Sequence, residues 1–128
     1  MSRVTFPKGK HLLAEFFYCD PKYLDDKNKI MRTMRKGLKA AKLTVARRIA
    51  HHFLPHGVTF SIILQESHAS LSTWPESQYL TIDVQTCGTK DDPVKLIEVF
   101  KELFHPTKIK VKYDQNLGEE PVEEVKGV

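Results

Sequence analysis

The residues best suited to chemistry lie between Gln65 and Glu76, in the run Gln-Glu-Ser-His-Ala-Ser-Leu-Ser-Thr-Trp-Pro-Glu. An apolar stretch ending at Leu64 gives way here to hydroxyls, an imidazole and carboxylates, closed by Trp74-Pro75. Composition alone reads this run as a polar loop. A second candidate is Cys87, followed by Gly88 at the end of an alternating segment. The chain has 6 histidines, but no spacing among them suggests a metal centre. His51 and His52 are neighbours on an expected strand, so their side chains leave opposite faces. No metal ligand set is assigned. No glycine-rich phosphate loop, dinucleotide fingerprint or serine nucleophile elbow is present.

The elements that position these groups follow from periodicity. His11–Tyr18 reads as a strand. Asp25-Asp26 opens a helix that runs to about Ala41, with Ile30, Met34 and Leu38 stacked at helical spacing. Thr44–Phe53 and Val58–Gln65 read as a hairpin around the Pro55-His56-Gly57 turn. In its second strand Val58, Phe60, Ile62 and Leu64 share a face. Leu71–Trp74 reads as a short extended piece, stopped by Pro75. Tyr79–Thr86 alternates Leu80, Ile82 and Val84 against Thr81, Asp83 and Gln85. Asp92-Pro93 starts a second helix with Leu96, Ile97, Phe100, Leu103 and Phe104 on one side. Pro106 ends it, and Ile109–Tyr113 reads as a last strand. This order predicts an α+β fold, a two-layer sandwich of a mainly antiparallel sheet with two helices on one face. The other sheet face is left to solvent or a partner.

The 128 residues suit a single domain, expected over residues 1–118. Turn chemistry at Asn116-Leu117-Gly118 places the start of a tail near Asp114, and residues 119–128 read as an acidic disordered segment. The net charge is +4, with basic residues gathered between Lys27 and Arg48. No nucleic-acid motif accompanies them, so they read as a solvated helix face rather than a nucleic-acid site. No apolar run is long enough to span a membrane. With no export signal visible, the 2 cysteines, Cys19 and Cys87, are expected as reduced thiols in the cytoplasm.

The Gln65–Glu76 run resembles the pattern Glu-Ser-His, three residues, His-Thr-Trp-Pro-Glu of the bacterial-type, pyruvoyl-dependent S-adenosylmethionine decarboxylases. His11-Leu12-Leu13-Ala14-Glu15-Phe16, Cys19-Asp20, His52-Phe53-Leu54-Pro55-His56-Gly57-Val58, Asp83-Val84-Gln85-Thr86-Cys87-Gly88 and Asp92-Pro93 resemble other family stretches in the same order. The resemblance covers roughly His11 to Lys112.

It implies a proenzyme that cuts itself. The Ser67 hydroxyl would attack the Glu66 carbonyl, and β-elimination from the resulting ester would leave residue 67 as a covalent pyruvoyl group. That group would take the amine of S-adenosylmethionine as a Schiff base and act as an electron sink during loss of CO2. The product would be the aminopropyl donor for spermidine synthesis. Cys87 matches the family's proton donor. Phe53 and Trp74 match the aromatics that sandwich adenine, where a sulfonium cation also favours aromatic faces. Glu76 matches the acid that binds the ribose hydroxyls, and Glu15 a carboxylate near the substrate. The family's active form is a homodimer of cleaved protomers whose sites use both subunits.

The chain departs from the pattern at two positions tied to processing. Ser72 stands where the family has a His that transfers protons during self-cleavage, and a serine hydroxyl is a far weaker base than imidazole. Thr59 stands where the family usually has Ser, which keeps the hydroxyl. Three outcomes stay open. His68 or another His substitutes, the chain is a non-processing homologue that binds a ligand or a partner subunit, or the substrate is a basic amino acid. The retained Phe53, Trp74 and Glu76 argue against the third.

Overall fold

The computed structural model describes residues 4–87 and 92–122. Among them the elements run β1 (Gly9–Phe17), α1 (Lys27–Ala40), β2 (Val45–His52), β3 (Val58–Leu64), β4 (His68–Trp74), β5 (Tyr79–Cys87), α2 (Val94–Phe104) and β6 (Lys108–Leu117), with single 3-10 turns at Pro21–Tyr23 and Pro75–Ser77. One sheet takes the order β2-β3-β4-β5-β1-β6, and every neighbouring pair is antiparallel.

This order explains why both helices share a face. β1 and β2 point the same way, as do β5 and β6, so α1 and α2 are each crossovers between parallel strands. A half-turn in the sheet plane relates the two crossovers, so a common hand puts both helices on the same side. There they bury one core. Ile30, Met34 and Leu38 of α1 and Leu96, Phe100 and Phe104 of α2 meet Phe16, Phe60, Leu71 and Ile82 of the sheet. Gly37 lets the helices close together, since a Cβ there would stand 2.6 Å from Leu96 Cδ2. Asp26 caps α1 by accepting the Lys29 N–H at 3.0 Å. α2 stops where His105 turns left-handed at φ 44° ahead of Pro106. Phe100 is completely buried. Phe100→Ala is therefore expected to cost roughly 3–5 kcal/mol of stability, read from a urea midpoint.

Two stretches differ from the sequence expectation. Residues 68–74 form an interior strand, not a polar loop with a short extended end. Ala69, Leu71 and Thr73 alternate inward, but Ala and Thr are weak hydrophobic markers and the outward serines imitate loop composition. β6 also continues past Tyr113 to Leu117, so the expected tail start near Asp114 is wrong. Its partner β1 extends back to Gly9, and Leu117 lies opposite Gly9. Backbone pairing carries this edge strand where its exposed side chains show no pattern. Gly88 and residues 123–128, most of the expected tail, lie outside the described residues.

Candidate active site

β4 separates the candidate residues into two clusters, one at each end. At its start, β3 and β4 join through a tight turn closed by Leu64 N–H donating to Ser67 O at 2.9 Å. The turn is tied to the segment after α1. Gln65 N–H donates to Thr44 O at 2.9 Å, and Thr44 N–H donates to Glu66 Oε1 at 3.0 Å. The Glu66 side chain thus fixes the turn that carries its own carbonyl and the Glu66–Ser67 bond. Ser67 Oγ lies 3.2 Å from His68 Nδ1, so a hydroxyl and an imidazole meet at that bond. His68 pairs with Gln85, which brings Cys87, two positions further along β5, to the same end of the sheet. The Cys87 thiol is exposed beside a cavity of about 130 Å³ formed with Gly9, Thr86 and Leu117. Cys19, by contrast, is buried, and burial pushes its thiol up to about 12. It is a packing residue.

At the far end of β4 a cavity of about 290 Å³ is lined by Phe53, His56, Gly57, Thr59, Ser72, Thr73, Trp74 and Glu76. Period-2 alternation sends Ser72 and Trp74 to the open face, and Ser72 pairs with Thr59 of β3. Their hydroxyls are 2.9 Å apart. Pro75 ends the strand, and the 3-10 turn delivers Glu76 to the cavity. Glu76 Oε2 stands 2.8 Å from His56 Nδ1, without the alignment of a hydrogen bond. The β2–β3 turn supplies the opposite wall. Phe53 N–H donates to Gly57 O at 2.7 Å. Gly57 has φ 113°, and a Cβ there would lie 3.2 Å from Thr73 O, so glycine suits both the conformation and the space. Phe53 and Trp74 remain 46% and 41% exposed, which leaves aromatic surface free for a flat ligand.

Glu15 belongs to this second end. Tyr79 OH donates to Glu15 Oε1 at 2.6 Å, and the Tyr79 ring packs 5.4 Å from Trp74 and 5.3 Å from Phe17. Burial and then the Glu15 carboxylate push the phenol up to about 12, so it stays protonated and keeps donating. The register Glu15–Thr81–Ser72 sets Glu15 two strands from the cavity, about 10 Å.

The two clusters cannot share one small molecule within a single chain. Ser67 immediately precedes the seven-residue β4, so at roughly 3.3 Å per residue it lies about 23 Å from Trp74 and about 17 Å from Ser72.

The family profile described as S-adenosylmethionine decarboxylase matches residues 10–116. The chain belongs to the S-adenosylmethionine decarboxylase family. It is 35% identical over 113 residues to the S-adenosylmethionine decarboxylase proenzyme of Thermosipho africanus (strain TCF52B), covering 84% of this chain and 87% of that one. It is 42% identical over 94 residues to the proenzyme of Parasynechococcus marenigrum (strain WH8102), covering 73% of each. The crystal structure of the adenosylmethionine decarboxylase from Aquifex aeolicus VF5 aligns with a TM-score of 0.77 at 29% identity, over 98% of this chain and 100% of that chain.

For this decarboxylase fold, sequence reasoning missed His56 and Tyr79. His56 counted only as a turn residue, although its place between Phe53 and Gly57 puts it beside the cavity. Tyr79 carries a usable signal, because strand alternation sets it on the same face as Trp74. His51 and His52 diverge as alternation requires. His51 packs edge-on to Phe53 at 4.5 Å, and His52 turns to Asp25 at 2.8 Å.

Proposed function

We propose that this chain is a self-cleaving S-adenosylmethionine decarboxylase working as a homodimer. Each site would combine Ser67 and Cys87 of one protomer with Phe53, Trp74 and Glu76 of the other. One observation carries the reading. A serine–imidazole pair at a peptide turn and an aromatic cavity with a carboxylate lie about 23 Å apart on one strand, too far for one substrate to touch both. A second copy laid on the open sheet face resolves the mismatch. That face carries exposed Ile49, Ile63 and Tyr113 besides Phe53 and Trp74.

In this reading His68 accepts the Ser67 hydroxyl proton as Oγ attacks the Glu66 carbonyl carbon. The Glu66–Ser67 amide becomes an ester, and the α-amine of Ser67 is freed. Loss of the Ser67 α-proton expels the Glu66 carboxylate and leaves dehydroalanine. Water then releases ammonia and leaves the pyruvoyl group at residue 67. The residues present fit such a group, since the bond sits in a braced turn with an imidazole at the hydroxyl and a thiol on the neighbouring strand end. At residue 67 such a group would supply an electron sink for loss of CO2 from the amine-bearing carbon. Cys87 returns a proton to that carbon. Phe53 and Trp74 stack the adenine and face the sulfonium, Glu76 accepts from the ribose hydroxyls, and Tyr79 holds Glu15 in place. Formation of the aminopropyl donor for spermidine synthesis follows. The relatives are named proenzymes, which supports activation by cleavage.

The test is the mass of the purified protein and release of labelled CO2. Fragments split between Glu66 and Ser67, the second bearing pyruvoyl, are expected together with CO2 from S-adenosylmethionine. An intact chain after long incubation, without CO2, overturns the reading. The Thr59–Ser72 hydroxyl pair, where an imidazole would serve cleavage better, favours a second reading as a non-processing ligand-binding partner subunit. The same measurement decides between them. Ser72→His is expected to speed cleavage by at least about tenfold, short of the roughly 10²–10⁴-fold that fully positioned proton transfer contributes. An unchanged rate would assign the work to another group, with His68 foremost.

A further inference from the structure

We infer that Asp25 is a positioning residue for the adenosyl cavity. Its carboxylate clamps the Phe53–Gly57 turn and thereby holds Phe53 and His56 as the cavity wall. The inference rests on the reading of that cavity as the adenosyl site and adds a residue that does not line it.

The wall needs an anchor that packing does not supply. β2 is an edge strand, exposed at every position but a half-buried Ala50. Phe53, Leu54 and Pro55 are all exposed, Leu54 at 93%. Polar bonds from residues 24 and 25 hold the turn instead. Asp25 Oδ1 accepts the Gly57 N–H at 2.6 Å and lies 2.8 Å from His52 Nε2. Both ends of the turn therefore converge on one oxygen. One residue earlier, Leu24 O accepts from Thr73 Oγ1 at 2.7 Å, and Thr73 Oγ1 accepts the Val58 N–H at 3.0 Å. The Leu24 side chain is fully buried, so the clamp is rooted in the core.

Among the described residues Asp25 has no competing local duty. The Asp25-Asp26 pair reads in sequence as a helix start, but Asp26 alone caps α1. Burial tends to raise the Asp25 carboxyl, but the Gly57 N–H and His52 outweigh it and hold the carboxyl below the ordinary aspartate range. It is therefore ionised in the working range, and a charged acceptor makes the stronger bond to a backbone N–H. Without it the Gly57 N–H loses its partner, and only the Phe53–Gly57 bond and the Leu24–Thr73–Val58 bonds remain to hold Phe53 opposite Trp74.

The test uses the full-length, self-cleaved protein. Affinity is measured with 5′-methylthioadenosine, which carries adenine and ribose but no amine to react, and KM and kcat with S-adenosylmethionine. Asp25→Ala is expected to weaken the probe and raise KM about tenfold, with kcat changed less than about twofold. Asp25→Asn keeps an acceptor for Gly57 and should recover most of the affinity. If the alanine variant fails to fold, Asp25→Ser, whose shorter side chain places no acceptor at the Gly57 N–H, stands in for it with the same expected loss. Asp26→Ala, which loses the helix cap, should lower the melting temperature without moving the probe affinity. Unchanged probe affinity and KM in Asp25→Ala would overturn the inference, as would an equal shift in Asp26→Ala, which would trace the effect to stability. Trp74→Ala in parallel separates the two levels. If it too leaves probe affinity unchanged, the cavity is not the adenosyl site. If it weakens the probe while Asp25→Ala does not, only the role of Asp25 falls.

Discussion

Ser67→Ala will leave the chain whole at 14.7 kDa and reduce CO2 release to below about one-thousandth of the wild-type rate. In the proposed mechanism alanine removes the nucleophile of the cleavage step and also the oxygen whose departure turns residue 67 into an electrophile. No other residue offers a substitute for both. The change should be silent in stability, because the Ser67 side chain bonds to exposed His68 and the turn is closed by backbone atoms and Glu66. Mass spectrometry, a thermal melt and a CO2 assay on one preparation check all three points. A cleaved or active Ser67→Ala protein would remove Ser67 from the mechanism.

The second large effect is recovery of activity from two inactive chains. Ser67→Ala protomers retain the Phe53–Trp74–Glu76 cavity, and Trp74→Ala protomers retain Ser67, His68 and Cys87. Each variant alone is expected to be nearly inactive, the first for lack of the electrophile and the second for lack of adenine stacking. In the proposed homodimer, coexpression in equal amounts would make about half the dimers hybrids, and each hybrid would hold one intact site of two. About a quarter of the wild-type activity should return at subsaturating substrate. Sites contained within single chains would give no recovery, and that result would end the shared-site assignment.

Parts of the architecture were legible because periodicity and punctuation agree. α1 shows its apolar stripe at Ile30, Met34 and Leu38, and Asp26 caps it as the sequence suggests. β3 and β5 alternate cleanly, and Pro55-His56-Gly57 marks the β2–β3 turn. β4 was obscured because a strand interior built from Ala, Leu and Thr, with Ser and His outside, has almost no hydrophobic contrast. β6 was cut short because an edge strand is specified by its neighbour's backbone, and its own exposed residues are free to look like a tail. The paired aspartates at 25 and 26 read as a single helix start. Their separate uses, one on the helix and one on the hairpin turn, depend on a contact between residues 25 and 57 that local pattern does not contain.

By itself the sequence determined the family, the antiparallel sheet with helices on one face, and the candidate chemistry: the Glu66–Ser67 bond, Cys87, and the aromatic and acidic residues Phe53, Trp74 and Glu76. These are properties of residue type, spacing and alternation. Only the tertiary structure decided how they are grouped. Ser67 and Trp74 are close in sequence, yet a strand is the most extended form of the chain and carries them to opposite ends of the sheet. Cys87 returns to Ser67 only through the β4–β5 register. Phe53 reaches the Trp74 end through the β2–β3 turn, where Asp25 meets Gly57. What reads along the chain as one compact motif is, in space, two clusters at opposite ends of one strand.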